Sequence, residues 1–153
     1  MAAPDQGLTA ARGLYALALH LSQPREIGVG ALGTHAFTAG YYVYVGSAWG
    51  SGGLAARVKR HLRGGGKRHW HIDYLRAQAD PVAFWWKKNV RDECAWADRL
   101  LAHPDARVVI PRFGASDCSC PAHLAYVGDV LPSADLFPKA RYVRTDTMEK
   151  GFL

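Results

Sequence analysis

The run Gly-Tyr-Tyr-Val-Tyr-Val-Gly-Ser at residues 40–47 constrains this chain more than any other stretch. Its tyrosines and valines favour extended backbone, so it reads as a strand. A second breaker-free apolar run, GLYALALHL at residues 13–21, reads as a companion strand. The WGSGG cluster at residues 49–53 marks a turn. The period then changes. Leu54, Val58 and Leu62 recur every four residues and form one apolar stripe, which predicts a helix over residues 54–63. The glycines at 64–66 stop it. Residues 25–33 read as a twisted strand or hairpin arm, and residues 69–77 as a short helix or an extended segment. Residues 81–88 read as a strand, residues 91–101 as a helix and residues 107–113 as a further short strand. Strands come first, and helices then mix with more strands. That order predicts a small α+β domain with a mostly antiparallel sheet.

The 153 residues suffice for one domain with its own core. Residues 1–11 read as a loose N-terminal tail. Residues 12–127 read as the domain, and residues 128–153, which carry Pro132 and Pro138, as a partly ordered extension. No apolar run approaches the roughly 20 residues that cross a bilayer, and residues 1–9 lack the apolar segment of a signal peptide. A cytoplasmic protein that does not contact membranes is expected. Three cysteines, an odd and low count, argue against a disulfide framework.

The net charge of +6 is concentrated. Arg57, Lys59, Arg60, Arg63, Lys67 and Arg68 lie between Leu54 and Ile72 with no acidic residue among them; the remaining basic and acidic residues cancel. His61, His69, Trp70 and His71 are interleaved with these charges. Such a segment is an electrostatic footprint for phosphate, against the plainer reading of a solvated face. Lys59, Arg60, Arg63, Lys67, Arg68, His69 and His71 are therefore candidate nucleic-acid contacts. Trp70 reads as a core residue before a platform for an unpaired base. On a strand, His69, His71 and Asp73 would share a face.

Two tripeptides stand out next. Gly13-Leu14-Tyr15 lies on the first strand, and Tyr44-Val45-Gly46 on the clearest one. A helix carrying Arg57 and His61 follows, and later a helix carrying Glu93. This order resembles the GIY-YIG nuclease superfamily, and the phrases YVYVGSAWGSGGL, HWHIDYL, DECA and FGASDCSCPAHL resemble its compact, stand-alone Uri-type branch. The resemblance spans roughly residues 13–127. It departs mildly from the motif, with Leu14 and Val45 standing where isoleucine is usual. The late asparagine common in the superfamily has no clear counterpart, since Asn89 precedes Glu93.

The resemblance implies an antiparallel sheet of about three core strands flanked by helices. It also implies phosphodiester hydrolysis with one divalent cation, Mg²⁺ or Mn²⁺. The family's tyrosines match Tyr15 and Tyr44, its helix arginine Arg57, the following histidine His61 and its metal-binding glutamate Glu93. Tyr15 would act as general base, helped by a nearby cation, and Tyr44 would orient water or phosphate. Arg57 and His61, four residues apart, would share one helix face. Arg57 would grip two phosphate oxygens and His61 would hydrogen-bond phosphate or relay a proton. Glu93 would hold the cation, which needs only one or two carboxylates. Each residue has a plainer reading: Tyr15 shares a strand face with Leu17 and Leu19, Arg57 and His61 suit a solvated helix, and Glu93 suits a helix start.

Cys118-Ser119-Cys120-Pro121-Ala122-His123 concentrates soft ligands, and Cys94 is the other cysteine. Cys94 reads first as a small core residue and the loop cysteines as reduced thiols. A Cys₃His zinc site closed by Cys94, Cys118, Cys120 and His123 is the alternative. A third reading takes Asp117 and His123 to the catalytic site. The expected function is thus a metal-dependent endonuclease, on DNA rather than RNA, as a dimer if both strands are cut. The alternatives are a catalytically silent nucleic-acid-binding module and a zinc-stabilised interaction protein.

Overall fold

The computed structural model describes residues 8–115 and 118–147. Strand β1 (Gly13–Leu21) is followed by the hairpin of β2 (Arg25–Gly28) and β3 (Thr34–Phe37), then by β4 (Gly40–Ala48). Helices α1 (Gly53–Arg63) and α2 (His71–Arg76) precede β5 (Asp80–Lys88) and helix α3 (Glu93–Leu101). Strands β6 (Leu124–Gly128) and β7 (Arg141–Arg144) close the chain. The main sheet is antiparallel and runs β6-β4-β1-β5-β7. The fold is α+β, as expected, and the three strongest strands of the sequence are its centre.

β1 is covered on both edges and both faces, which is why its sequence runs apolar without alternation. Tyr15, Leu17 and Leu19 pack with Tyr42, Tyr44, Phe84 and Trp86 beneath α1 and α2. Ala16, Ala18, Val43, Val45 and Trp85 pack on the opposite face beneath α3 and Phe137. Each large apolar side chain buried this way contributes about 1.5–3 kcal/mol.

Several expectations change. Residues 107–113 form no strand; only Arg107 bridges to Tyr126. Pro111 has no N–H to give a ladder, and Arg112 sits at φ 70°, which turns the backbone. Of residues 69–77, His71–Arg76 form the helix α2, so His69, His71 and Asp73 do not share a strand face. The end of the expected loose tail is docked: Leu8 is buried, and the carbonyls of Thr9 and Ala11 accept the N–H groups of Ala55 and Leu54. Those are donors that the start of α1 would otherwise leave unpaired. The extension, expected to be partly ordered, is ordered over residues 129–147. β7 pairs with β5, Phe137 stacks on Trp96, and Val143 is buried. Residues 1–7 and 148–153 lie outside the described residues. Among the described residues, no helix is long and apolar enough to cross a membrane.

Candidate functional site

Gly46 decides the local architecture of the two tripeptides. It pairs with Tyr15 across β1 and β4, and the tyrosine ring lies over it. A Cβ on Gly46 would stand 2.6 Å from both Cζ and the hydroxyl oxygen of Tyr15. The glycine therefore makes room for the phenol. The Tyr15 hydroxyl reaches Nε2 of His61 on α1 at 2.7 Å. The Tyr44 ring completes the cluster, 6.3 Å from that of Tyr15 and 6.4 Å from that of His61. Tyr15 and His61 are fully buried.

Burial dominates the titration of this cluster. It raises the Tyr15 phenol well above the ordinary range, with Tyr44 adding to the shift and Arg57 opposing it. It likewise raises Tyr44, reinforced by Glu93. It lowers His61 from 6.5 to about 3, with Arg60, Arg57 and Arg76 helping and Asp73 opposing. His61 is thus a neutral imidazole beside a neutral phenol. Its folded value lies below its unfolded one, so the associated stability is complete above about pH 6.5 and is lost as the pH falls toward about 3. Urea denaturation at pH 7, 5.5 and 4 should show a midpoint that drops across this window. In His61→Phe that slope should flatten; an unchanged slope would contradict the assignment.

Along β4, β6 pairs over Tyr41–Tyr44, and the N–H of Val45 donates to the carbonyl of His123. Beyond that point β4 borders a cleft of about 210 Å³ lined by Tyr44, Ser47, Arg57, His69, Trp70, His71, Glu93 and Gly114. Here α1 on one sheet face and the start of α3 on the other come within reach of one space. Asp92 caps α3 by accepting the Ala95 N–H, which places Glu93 in the first turn. Nδ1 of His71 accepts the Gly114 N–H at 2.9 Å, so the neutral ring carries its proton on Nε2. Burial lowers the His71 pKa and favours that neutral form.

The cationic rim is more structured than its sequence suggests. Arg60 makes a forked pair with Asp73 at 2.6 and 2.8 Å, and Asp73 also accepts the N–H groups of His69 and Trp70. Trp70 is not a core residue: it is exposed, and the guanidinium carbons of Arg57 and Arg60 each stand 4.2 Å from its ring centroid. Its charged neighbours cover it in place of a core. Arg63, Lys67, Arg68 and His69 are exposed. A second recess, lined by Arg60, Arg63, Lys67, His69 and the glycines at 64–66, adjoins the first, with His69 common to both. Lys59 on α1 is half-buried.

Of the expected site residues, the structure brings Tyr44, Arg57 and Glu93 to one cleft with His69 and His71, and sets Tyr15 and His61 behind Tyr44. Ser47 and Gly114 were not expected there. Ser47 directly follows the second tripeptide, which is the one signal that could have marked it.

The cysteines converge as well. One ligand atom each from Cys94, Cys118, Cys120 and His123 lies within 4.8 Å of the others. The reading of Cys94 as a plain core residue therefore gives way: it is half-buried, and the four residues form a group able to hold a metal ion. Arg112 donates to the carbonyls of Cys118 and Cys120, which fixes the loop between them. Burial raises Cys120, as do its thiol neighbours. Cys118 is lowered despite burial, chiefly by hydrogen bonds from Cys120 and Cys94. His123 touches both sites. Its Nε2 is 3.4 Å from the Cys118 sulfur, and its Nδ1 is 2.8 Å from Oε2 of Glu93. Burial lowers the imidazole, but Glu93 and Cys118 outweigh it and the net shift is upward. Asp117 lies outside the described residues.

A family model matches residues 14–142, a span that includes every residue of both clusters. The chain belongs to that family, described as "Domain of unknown function DUF123". The DUF123 match runs from β1 into β7, so the edge strand beyond Gly128 is part of the shared domain. No curated protein and no solved structure matches the chain.

Proposed function

We propose that this DUF123 protein is a metal-dependent endonuclease of the GIY-YIG kind, acting on nucleic acid at the cleft beside β4. The observation that carries this reading is the shared lining of that cleft by Tyr44, Arg57 and Glu93, next to a recess rimmed by Arg60, Arg63, Lys67 and His69. Phosphate contacts along such a rim would bind backbone without reading sequence. DNA is the expected substrate.

The donors in the cleft are hard oxygens, from a carboxylate, a phenol and a hydroxyl, and they fit Mg²⁺ or Mn²⁺, which keep several waters. That cation, held by Glu93, would supply charge that favours ionised oxygens on water, on the phenol and on the departing sugar oxygen. The protein's groups do the rest. Arg57 forks onto two phosphate oxygens. His71 offers its Nε2–H to another. Tyr44 orients the attacking water at the cleft wall; the water's proton is passed inward to Tyr15 as Tyr15 gives its own to Nε2 of neutral His61, 2.7 Å away, and the departing sugar oxygen takes a proton from solvent. Burial opposes charge on both Tyr15 and His61. Turnover should therefore depend strictly on added cation. The thiol-rich cluster is a separate site; three sulfurs and an imidazole suit Zn²⁺.

The test is a panel of linear, branched and single-stranded DNA and structured RNA, each with and without added Mg²⁺ or Mn²⁺. Omitting the cation is a better control than a chelator, which would also strip zinc. Cleavage only with the cation supports the proposal. Salt-sensitive binding without cleavage on every substrate would instead favour a silent binding module.

A further inference from the structure

We propose that zinc held by Cys94, Cys118, Cys120 and His123 acts as a positioning device for Glu93, transmitted through the His123 ring. The zinc centre stands independently of the nuclease reading; the consequence for Glu93 as a cation ligand rests on it.

The geometry suits a tetrahedral ion. Zinc–sulfur bonds of about 2.3 Å and zinc–nitrogen bonds of about 2.0–2.1 Å place ligand atoms about 3.5–3.8 Å apart. Cys118 Sγ and His123 Nε2 stand 3.4 Å apart, and all four ligand atoms fall within 4.8 Å. Cys94 and Cys120 Sγ approach to 2.7 Å, so they would open by about 1 Å around zinc. That separation is also well beyond a disulfide bond of about 2.05 Å, and all three cysteines are free. The scaffold is fixed independently of the ion. The backbone N–H of His123 donates to Phe113, its carbonyl accepts from Val45, and Arg112 ties down the Cys118 and Cys120 carbonyls.

His123 faces zinc with one nitrogen and Glu93 with the other. Ligation through Nε2 leaves its only proton on Nδ1, 2.8 Å from Glu93 Oε2. The buried Nδ1 has no well-aligned hydrogen-bond partner although that oxygen is close, so its N–H points off the line to the carboxylate. A small rotation of the ring, set by a metal on Nε2, aims the N–H at Glu93. This completes a carboxylate–histidine–zinc relay, an arrangement that orients both partners. Here the outer carboxylate is also the residue that lines the cleft. His123 is thus a positioning residue, and Glu93 takes part in both centres.

Three measurements test this on the full chain, prepared reduced and with zinc. Metal analysis should find one zinc per chain. Histidine ¹⁵N NMR should show His123 protonated at Nδ1 and ligated at Nε2, with the Nδ1 proton protected from exchange only when zinc is present. His123→Cys keeps a four-ligand site and removes the N–H. It should retain zinc yet bind Mn²⁺ about tenfold more weakly, by EPR titration of the free ion, in line with the 10–100-fold cost of losing outer-shell partners. If that variant loses zinc, the NMR tautomer decides. Reduced protein that takes up no zinc would overturn the proposal. So would an Nε2-protonated His123 in the zinc-loaded chain, or unchanged Mn²⁺ affinity in a zinc-retaining His123→Cys. None of these readouts needs a nucleic-acid substrate, so absence of cleavage would sink the nuclease reading while leaving this one standing.

Discussion

Glu93→Gln should lose roughly a thousandfold in cleavage rate while binding DNA about as tightly as the parent. The expectation follows from the proposed role of this carboxylate as ligand of the cation in the cleft. Losing about 4 kcal/mol of transition-state stabilisation, the scale of a lost catalytic cation, corresponds to that factor. Glutamine is the informative replacement, because it keeps an oxygen beside Nδ1 of His123, which stands 2.8 Å from Oε2 in the parent. Glu93→Ala would leave that buried nitrogen without a neighbour and mix a folding defect into the rate. Gel-shift affinity measured beside single-turnover cleavage separates the two effects. Cleavage by Glu93→Gln at the parental rate would remove Glu93 from the chemistry. A parallel loss of binding would mean that Glu93 acts through the fold.

Gly46→Ala is the largest expected effect on stability. The added methyl would meet the Tyr15 ring at 2.6 Å, and Tyr15 is a fully buried side chain on the central strand. The ring cannot swing into solvent, so it must press on His61 and Tyr44 or push β1 from β4. Overpacking of this kind costs about 1–3 kcal/mol. The upper end is expected here, because the Tyr15–His61 hydrogen bond is strained at the same time. Urea denaturation should show the loss, and cleavage by the folded fraction should fall as well. Full stability with full activity would mean that the phenol need not lie over this glycine.

The stretches that could be read from sequence are those whose local preference and tertiary role agree. β1 is an almost unbroken apolar run and β4 is rich in Tyr and Val because they sit in the middle of the sheet, and α1 repeats every four residues because one side packs on it. β6 and β7 are only five and four residues long. β7 is an edge strand reading Arg-Tyr-Val-Arg, where charge blunts the apolar signal. Residues 107–113 misled because Ile110 and Phe113 are buried like strand residues, although Pro111 and Arg112 bend the chain. Trp70 misled because aromatic burial is the usual outcome, and nothing local announces that Arg57 and Arg60 will stack on it.

The site divides in the same way. The order of Tyr15, Tyr44, Arg57, His61 and Glu93 was legible, and so was a basic segment. Which members line the cleft was not, because exposure is a tertiary property: Tyr15 and His61 end up behind Tyr44. Arg60, counted among the candidate phosphate contacts, is largely committed to Asp73. The cysteines carried an ambiguous message because Cys94 is 24 residues from Cys118; only the packing of α3 against the loop before β6 brings them together.

The most direct test of the central claim is the position of the catalytic cation. A crystal of the zinc-containing protein with a non-cleavable DNA and Mn²⁺ should show anomalous scattering from manganese in the cleft, about 2.1 Å from a Glu93 oxygen and between Tyr44 and Arg57. Manganese bound elsewhere, with the Glu93 cleft empty and the DNA backbone lying away from it, would contradict the account.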